Sequence, residues 1–312
     1  MPNIVCIVGP TASGKTALSV RLAKELGGEV ISFDSMQIYR RMDIGTAKPT
    51  PEETEGVPHH MLSVAEPWET FSVGKYVQMA DPILQDILSR GKTAVLVGGT
   101  GLYIDALIAG RSFADEPNEA LRQKLERRAD EEGMEALLKE LAVYDPETAA
   151  RLHPADRKRI LRAMEVYEAT GKTISQHNAE TQLLPPQYKA AWLGLWYSDR
   201  SVLYDRIDRR VDVMLQNGLP AEIRSLVEEG LPKDSTAYAA IGYKEFIRAM
   251  EGQCSMEEAA DAVKQGSRRY AKRQMTWFNR NKDVFWIDRC AHITDEDVFS
   301  AARRYLADFD GR

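Results

Sequence analysis

Residues 9–16 read GPTASGKT, which is the spacing G-x-x-x-x-G-K-[ST] of a loop that cradles phosphate groups. Each residue type serves that purpose. Gly9 and Gly14 permit backbone conformations in which the N–H groups of Thr11, Ala12 and Ser13, following Pro10, turn inward on an anion. Lys15 adds a point charge, and Thr16 offers a hydroxyl to a magnesium ion. An ordinary glycine-rich turn would need none of the flanking pattern. Before the motif stands the apolar, mostly β-branched run Ile4–Val8, which predicts a buried strand. After it, residues 17–26 put Leu18, Leu22 and Leu26 on one helical face, with Arg21 and Lys24 opposite. A helix starting there points its positive end at the bound anion, a di- or triphosphate. The motif leaves open whether that phosphate is transferred or discarded.

Two further residues offer chemistry. Asp34 ends the apolar stretch EVISF and opens DSMQIY. A carboxylate there is able to take a proton from a nucleophile, to cap a helix or to join a magnesium shell. Thr100 lies between glycines in GGTGLY, where a hydroxyl can approach a substrate closely or simply serve a turn. The usual P-loop enzymes carry a second carboxylate at a strand end to help hold magnesium. AVLV at 94–97 runs instead into GGTGLY, and no N-K-x-D base reader occurs. On motif logic alone, a small-molecule or nucleoside kinase that uses Asp34 stays open. His59 and His60 are adjacent, a poor spacing for metal ligands on one element, and read as structural.

The elements that must position these residues alternate. Strand signals at 4–8, 29–33 and 92–97 are separated by helical ones, including 72–90, which Pro82 is expected to break or begin. That alternation predicts an α/β fold, a P-loop NTPase-like parallel sheet with helices on both faces and its site at the carboxyl ends of the strands. Gly9, Asp34 and Gly98–Thr100 all follow strand ends and should converge. From about residue 115 the strand signal disappears. Several helices punctuated by Gly133, Pro146, Pro154 and Gly171 are expected, with Asn118 and Asp145 as candidate N-caps. AAWLGLWY at 190–197 restores a strand, helices follow near 199–217, 220–229 and 255–281, and VFWID at 284–288 is a last strand before a terminal helix. The expected organisation is a catalytic core of residues 1–114 and 190–312, with residues 115–189 inserted as an all-helical domain.

Composition sets bounds on function. The 312 residues are 44% hydrophobic and 28% charged, an ordinary globular balance. No apolar run approaches the roughly 20 residues that span a bilayer. The first residues show no signal-peptide pattern, and Cys6, Cys254 and Cys290 show no zinc or disulfide spacing, so a reducing cytoplasm is the expected location. Net charge is −6, yet residues 264–282 carry seven Lys or Arg and no Asp or Glu, and RKRILR at 157–162 forms a second basic cluster. Solvated helix faces often look like this, but two such runs on an acidic chain favour a polyanionic partner. Trp277 and Phe278 are positioned either to stack on bases or to fill a core.

The blocks GPTASGKT, ISFDSMQIYRRMDIGTAKPT, PHHML, LVGGTGLYIDAL, HPADRKRILRAMEVYEATGKT, IGYKE and AKRQMTWFNR occur in the order of the signature blocks of bacterial tRNA dimethylallyltransferases. The chain resembles that family from residue 4 to about residue 288. One departure is WFNR after KRQMTW, where an aromatic–Arg ending is commoner, and no cysteine–histidine zinc module follows. The resemblance implies that the loop holds the diphosphate of dimethylallyl diphosphate, with Mg2+ near Thr16 and Arg210 on the diphosphate, Arg206 one turn earlier in support. It implies transfer of the dimethylallyl group to N6 of adenosine 37 in the anticodon stem-loop of tRNAs reading codons that begin with U. Asp34 would be the general base and Thr100 would position the amine. RNA contacts would come from Asp34, Ser35, Met36, Gln37, Thr100, Gln123, Lys158, Arg159, Ile160, Leu161 and Arg162, and from Gly242, Tyr243 and Lys244 in AIGYKE. The base would have to flip out of its stack to reach the site. A monomer without membrane attachment is expected. From the residues alone, Arg206 and Arg210 are equally read as surface partners of Asp205, Asp208 or Asp212.

Overall fold

The unbroken apolar run before the glycine-rich loop is buried on both faces of a sheet. In the computed structural model, which describes residues 2–111, 119–182 and 185–309, β1 (Ile4–Val8) is buried throughout. Ile4, Cys6 and Val8 enter one apolar cluster, and Val5 and Ile7 enter another. Successive side chains leave a strand on opposite sides, so a central strand covered twice shows no polar alternation.

After β1 come α1 (Lys15–Glu25), β2 (Glu29–Ser32), α2 (Pro51–Thr54), β3 (His59–His60), α3 (Val73–Ser89), β4 (Ala94–Val97) and α4 (Gly101–Ala109). Next come α5 (Glu119–Glu132), α6 (Met134–Tyr144), α7 (Pro146–Ala149), α8 (Arg157–Thr170) and α9 (Ile174–Gln182). The chain then adds β5 (Ala191–Trp196), α10 (Arg200–Gln216), α11 (Leu219–Glu228), α12 (Tyr243–Met250), α13 (Met256–Phe278), β6 (Val284–Asp288) and α14 (Asp295–Ala307). These divide into two compact units, one of residues 1–110 with 188–312 and one of residues 111–187.

In the first unit the described strands form one sheet in the order β3-β2-β4-β1-β5-β6, parallel at every pairing. This is the α/β architecture that the alternation predicts. Helices α1 and α14 cover the Val5–Ile7 face with Leu18, Leu22, Val298 and Leu306. Helices α3, α4 and α10 to α13 cover the other face, among them Tyr76, Ile104, Phe246 and Val263.

Several boundaries differ from expectation, for identifiable reasons. Helix α3 runs through Pro82 without a break, because Tyr76, Ala80, Leu84 and Ile87 bury one stripe of it and Ser72 accepts the Lys75 N–H at its start. His59 and His60 form a short edge strand on β2, with His60 Nε2 2.8 Å from the buried Glu29 carboxylate. IGYKE contains the start of a helix, α12, to which the sequence pattern assigns no element. Gly242 caps α12, and its N–H donates to Glu245 Oε2 at 2.8 Å. Phe278 is buried, and Trp277 packs on the core and donates Nε1–H to Asp105 at 2.8 Å, so core packing decides both aromatics.

The second unit is helical throughout its described residues and has its own core of Leu125, Leu137, Leu141, Ile160, Leu161 and Met164. Asp145 caps α7 by accepting the Thr148 N–H at 3.0 Å, Gly133 precedes α6 and Gly171 ends α8. Asn118 lies outside the described residues. Among the described residues no helix is long and apolar enough to cross a membrane.

Candidate active site

The loops after β2, β4 and β1 meet because those strands are neighbours in the sheet. Backbone bonds bind them to one another: Phe33 N–H donates to Val97 O at 2.9 Å, and Thr100 N–H donates to Phe33 O at 3.2 Å. Gly9 has a φ of +140°, and a Cβ there would stand 2.5 Å from Leu195 O on β5. That crowding at the strand end excludes any side chain at the first glycine of the loop.

The loop itself is held by side chains from α10 and α13. Thr11 N–H donates to Gln274 Oε1 at 2.9 Å, Arg206 Nε donates to Ala12 O at 3.0 Å, and Arg210 Nη1 donates to Thr11 Oγ1 at 3.0 Å. Arg206 and Arg210 are thus loop contacts and not surface partners of Asp205, Asp208 or Asp212. Lys15 Nζ donates to Pro10 O at 2.7 Å. Thr11 cannot offer its N–H to an anion while Gln274 accepts it, so the cradle of amides begins one residue later than its spelling suggests. Ser13 is buried, and its hydroxyl has no partner among the described residues. Burial, reinforced by the nearby Arg210, lowers the Lys15 ammonium from its ordinary value to about 7, against the opposing pull of Asp34. Burial also lowers Arg210, again opposed by Asp34. Two half-buried cations whose charge burial disfavours gain from an anion beside them.

This loop lines a cavity of about 700 Å³ that also receives Thr16, Asp34, Arg206 and Arg210. A second cavity of about 260 Å³ adjoins it, with Met36, Val211, Leu219, Ile241 and Val263 in its wall. Thr11, Asp34, Arg210, Met214 and Tyr270 line both. Asp34 therefore stands where the two cavities meet, the larger one receiving Lys15, Arg206, Arg209 and Arg210 and the smaller one Arg210 and Arg273 beside its apolar wall.

Asp34 Oδ1 accepts the Met36 N–H at 2.9 Å and the Gln37 N–H at 3.4 Å. Oδ2 accepts no hydrogen bond from the described residues. Thr100 Oγ1 accepts the Ser35 N–H at 3.0 Å and donates to Ser35 Oγ at 3.2 Å. The hydroxyl from the β4 loop thus braces the residue next to the carboxylate. Gln37 is committed to the fold: its amide donates to Thr46 O and Ala47 O and accepts from Ser32 Oγ. Arg210 Nη2 reaches the same Thr46 carbonyl at 3.5 Å.

Other anticipated contact residues divide by burial. Tyr243 is fully buried and donates its hydroxyl to Glu222 at 2.6 Å, and Gly242 is buried beside it, which leaves Lys244 as the exposed member of that group. In the helical unit Lys158 and Arg159 are exposed on α8, whereas Ile160 and Leu161 point into the core. Those two apolar side chains do not face a partner; they seat the helix that presents the cations. Arg162 pairs at 2.9 Å with the buried Glu165, and Gln123 is exposed on α5. The basic run 264–282 is less free than its composition suggests. Lys264 pairs with Asp212 and Arg268 with Asp208, each at 2.6 Å. Arg280, where WFNR departs from the commoner ending, lies 5.1 Å over the Trp277 ring.

Three structural residues of the site escaped sequence reasoning. Gln274 and Tyr270 both donate to Gly99 O, at 3.1 and 3.3 Å. A signal was present: Val263, Tyr270, Gln274 and Trp277 recur on one face of a helix that also carries Lys264, Arg268, Arg269, Lys272 and Arg273. Glu222 is the third. It accepts the N–H groups of Asp43, Ile44 and Gly45 and so shapes the turn leading to Thr46.

Comparison with known proteins bears on what this arrangement does. The family model described as IPP transferase matches residues 37–281, and that described as isopentenyl transferase matches residues 2–65. A tRNA dimethylallyltransferase of Geobacillus thermodenitrificans is 51% identical, over 96% of this chain and 93% of its own length. The crystal structure of a full-length tRNA isopentenylpyrophosphate transferase from Bacillus halodurans is 43% identical and covers 97% of this chain and 95% of its own, with a TM-score of 0.73. A eukaryotic dimethylallyltransferase acting on tRNA is 30% identical, covering 97% of this chain and 77% of its own, with a TM-score of 0.81.

Proposed function

This chain belongs to the IPP transferase family, and from that premise we propose that it moves the dimethylallyl group of dimethylallyl diphosphate onto tRNA and releases diphosphate. The acceptor is N6 of adenosine 37, next to the anticodon in tRNAs reading codons that begin with U. The kinase alternative is not favoured, since the relatives at this identity carry the names of prenyl transferases.

The chemistry matches the two chambers. Cleaving the allylic C–O bond builds positive charge on carbon and negative charge on the departing diphosphate. The amides of Ala12 to Gly14, with Lys15 and Arg210, supply donors and charge where that negative charge grows. Thr16 lines the larger cavity together with Ser13, whose buried hydroxyl has no partner among the described residues. Such a donor set suits Mg2+, which binds through one or two protein oxygens and completes its shell with water and phosphate oxygens. Thr16 would hold the ion, which when bound supplies charge neutralisation for the diphosphate. On the acceptor side, the N6 lone pair is delocalised into the purine, so the amine attacks only as its proton leaves. Asp34 Oδ2 would take that proton, while Oδ1 stays bound to the turn. Thr100 would orient the amine, and a flipped adenosine costs less to extrude from a loop than from a duplex. Lys158, Arg159 and Lys244 would contact RNA phosphates, and the working unit would be a monomer.

The position of Asp34 where the cavity that receives Lys15, Arg206 and Arg210 meets the cavity walled by Met36, Val211, Leu219, Ile241 and Val263 carries this reading. The test is incubation with labelled dimethylallyl diphosphate, Mg2+ and unmodified tRNA, then nuclease digestion. Prenylated adenosine is expected; ATP γ-phosphate transfer to a small hydroxyl compound, with no labelled nucleoside, would refute it.

A further inference from the structure

The two halves of the proposed reaction sit on different loops, and one buried side chain touches both. Gln274 is 4% exposed. Its Oε1 accepts the Thr11 N–H at 2.9 Å, and its Nε2 donates to Gly99 O at 3.1 Å. Thr11 belongs to the phosphate loop, and Gly99 precedes Thr100, whose hydroxyl holds Ser35 beside Asp34. Tyr270, one turn earlier on α13, donates to the same Gly99 carbonyl. The fit is close, since a Cβ on Gly99 would stand 2.1 Å from Gln274 Nε2. An amide is the one side chain of this length that accepts at one end and donates at the other without charge.

We propose that Gln274 is a positioning residue for prenyl transfer: a strut that fixes the spacing between the loop holding the leaving diphosphate and the turn holding the general base and the amine. This rests on the reaction proposed above. The leaving diphosphate would be held on the loop that Gln274 meets at Thr11, and the general base on the turn that it reaches through Gly99, so its length sets their spacing. Misplacement by about 1 Å costs on the order of 10²-fold in rate. The loop keeps other supports, Arg206 on Ala12 O and Arg210 on Thr11 Oγ1, so affinity for the diphosphate should survive removal of the strut. The Gly99 carbonyl likewise keeps Tyr270.

The test compares wild type with Gln274→Met, which keeps the length but loses both hydrogen bonds, and Gln274→Glu, which keeps only the acceptor. For each, kcat for prenyl transfer, the Kd of inorganic diphosphate by calorimetry and the melting temperature are measured. The strut predicts a kcat loss on the order of 10²-fold in both variants. Diphosphate affinity of Gln274→Met should stay within about threefold and its melting temperature within a few degrees. An unchanged kcat in Gln274→Met overturns the proposal. So does a parallel fall in kcat, diphosphate affinity and melting temperature, because that is the signature of a general packing role. Wild-type protein without prenyl transfer would defeat the reaction itself, a result distinct from an active wild type with an equally active variant.

Discussion

The phosphate-loop crevice and helix α8 of the second unit both collect cations, and they hold them in opposite ways. Lys15 and Arg210 are enclosed, bonded to backbone or hydroxyl oxygens of the loop, and depressed by burial. Lys158 and Arg159 stand in solvent, with Arg159 only loosely near Asp156 at 3.7 Å. Enclosed cations act at fixed points and are strong because water is excluded. Exposed ones act through a screened field and tolerate displacement. One arrangement suits a charge that develops on particular atoms. The other suits docking a large polyanion.

The widest separation between the two regions should come from Asp34→Ala. Loss of the general base is expected to lower kcat about 10³-fold, roughly 4 kcal/mol of barrier, with the melting temperature little changed. Single-turnover transfer at wild-type speed would remove Asp34 from the mechanism. Next comes Arg210→Met, which deletes a half-buried charge and the bond to Thr11. About a 10²-fold loss in kcat/KM for the diphosphate donor is expected, whereas Arg159→Met on α8 should leave that parameter alone. Equal effects of the two would erase the contrast drawn here.

Arg162 sharpens the boundary within α8, because it is tied to the buried Glu165, whose other oxygen already has no partner among the described residues. Arg162→Ala should therefore destabilise the chain by about 1–3 kcal/mol, and Glu165→Gln in the same chain should recover part of it. Denaturant midpoints check this. A stability loss absent in Arg162→Ala would show that the ion pair is only a solvated contact.

Ionisation separates the regions further. Free Lys15 is charged below pH of about 7 and largely neutral above it, so an anion binding at higher pH must bring a proton with it. Diphosphate affinity is expected to fall by up to about tenfold per pH unit above 7, with proton uptake visible when calorimetry is run in buffers of different ionisation heat. The sign for folding is the reverse. Between about pH 7 and the ordinary value of 10.5 the unfolded chain holds more protons at this lysine, so its contribution to unliganded stability rises with pH. The smallest effect should belong to Lys158→Ala/Arg159→Ala: weaker tRNA binding, with the salt slope reduced by about one for each lost phosphate contact and kcat at saturating tRNA unchanged. An unaltered slope would return both residues to the solvated surface.

Much of this molecule is legible in one dimension because the relevant physics is local or periodic. A strand, a glycine-spaced loop and an amphipathic helix in succession determine the cradle, and apolar runs without alternation determine a parallel sheet covered on both faces. The order of motif blocks determines the family. What sequence alone did not reveal is which polar groups are spent on the fold itself. Gln274 and Glu222 gain their meaning from backbone groups distant along the chain, Tyr243 from the Glu222 carboxylate, and Gln37 from carbonyls across its own turn, and a basic stripe on α13 loses two cations to aspartates on α10. Partner choice of that kind depends on which strands are neighbours and which helix faces pack inward. Those are properties of the folded chain, since a hydrogen bond or ion pair is decided by distance in space and not by spacing along the backbone.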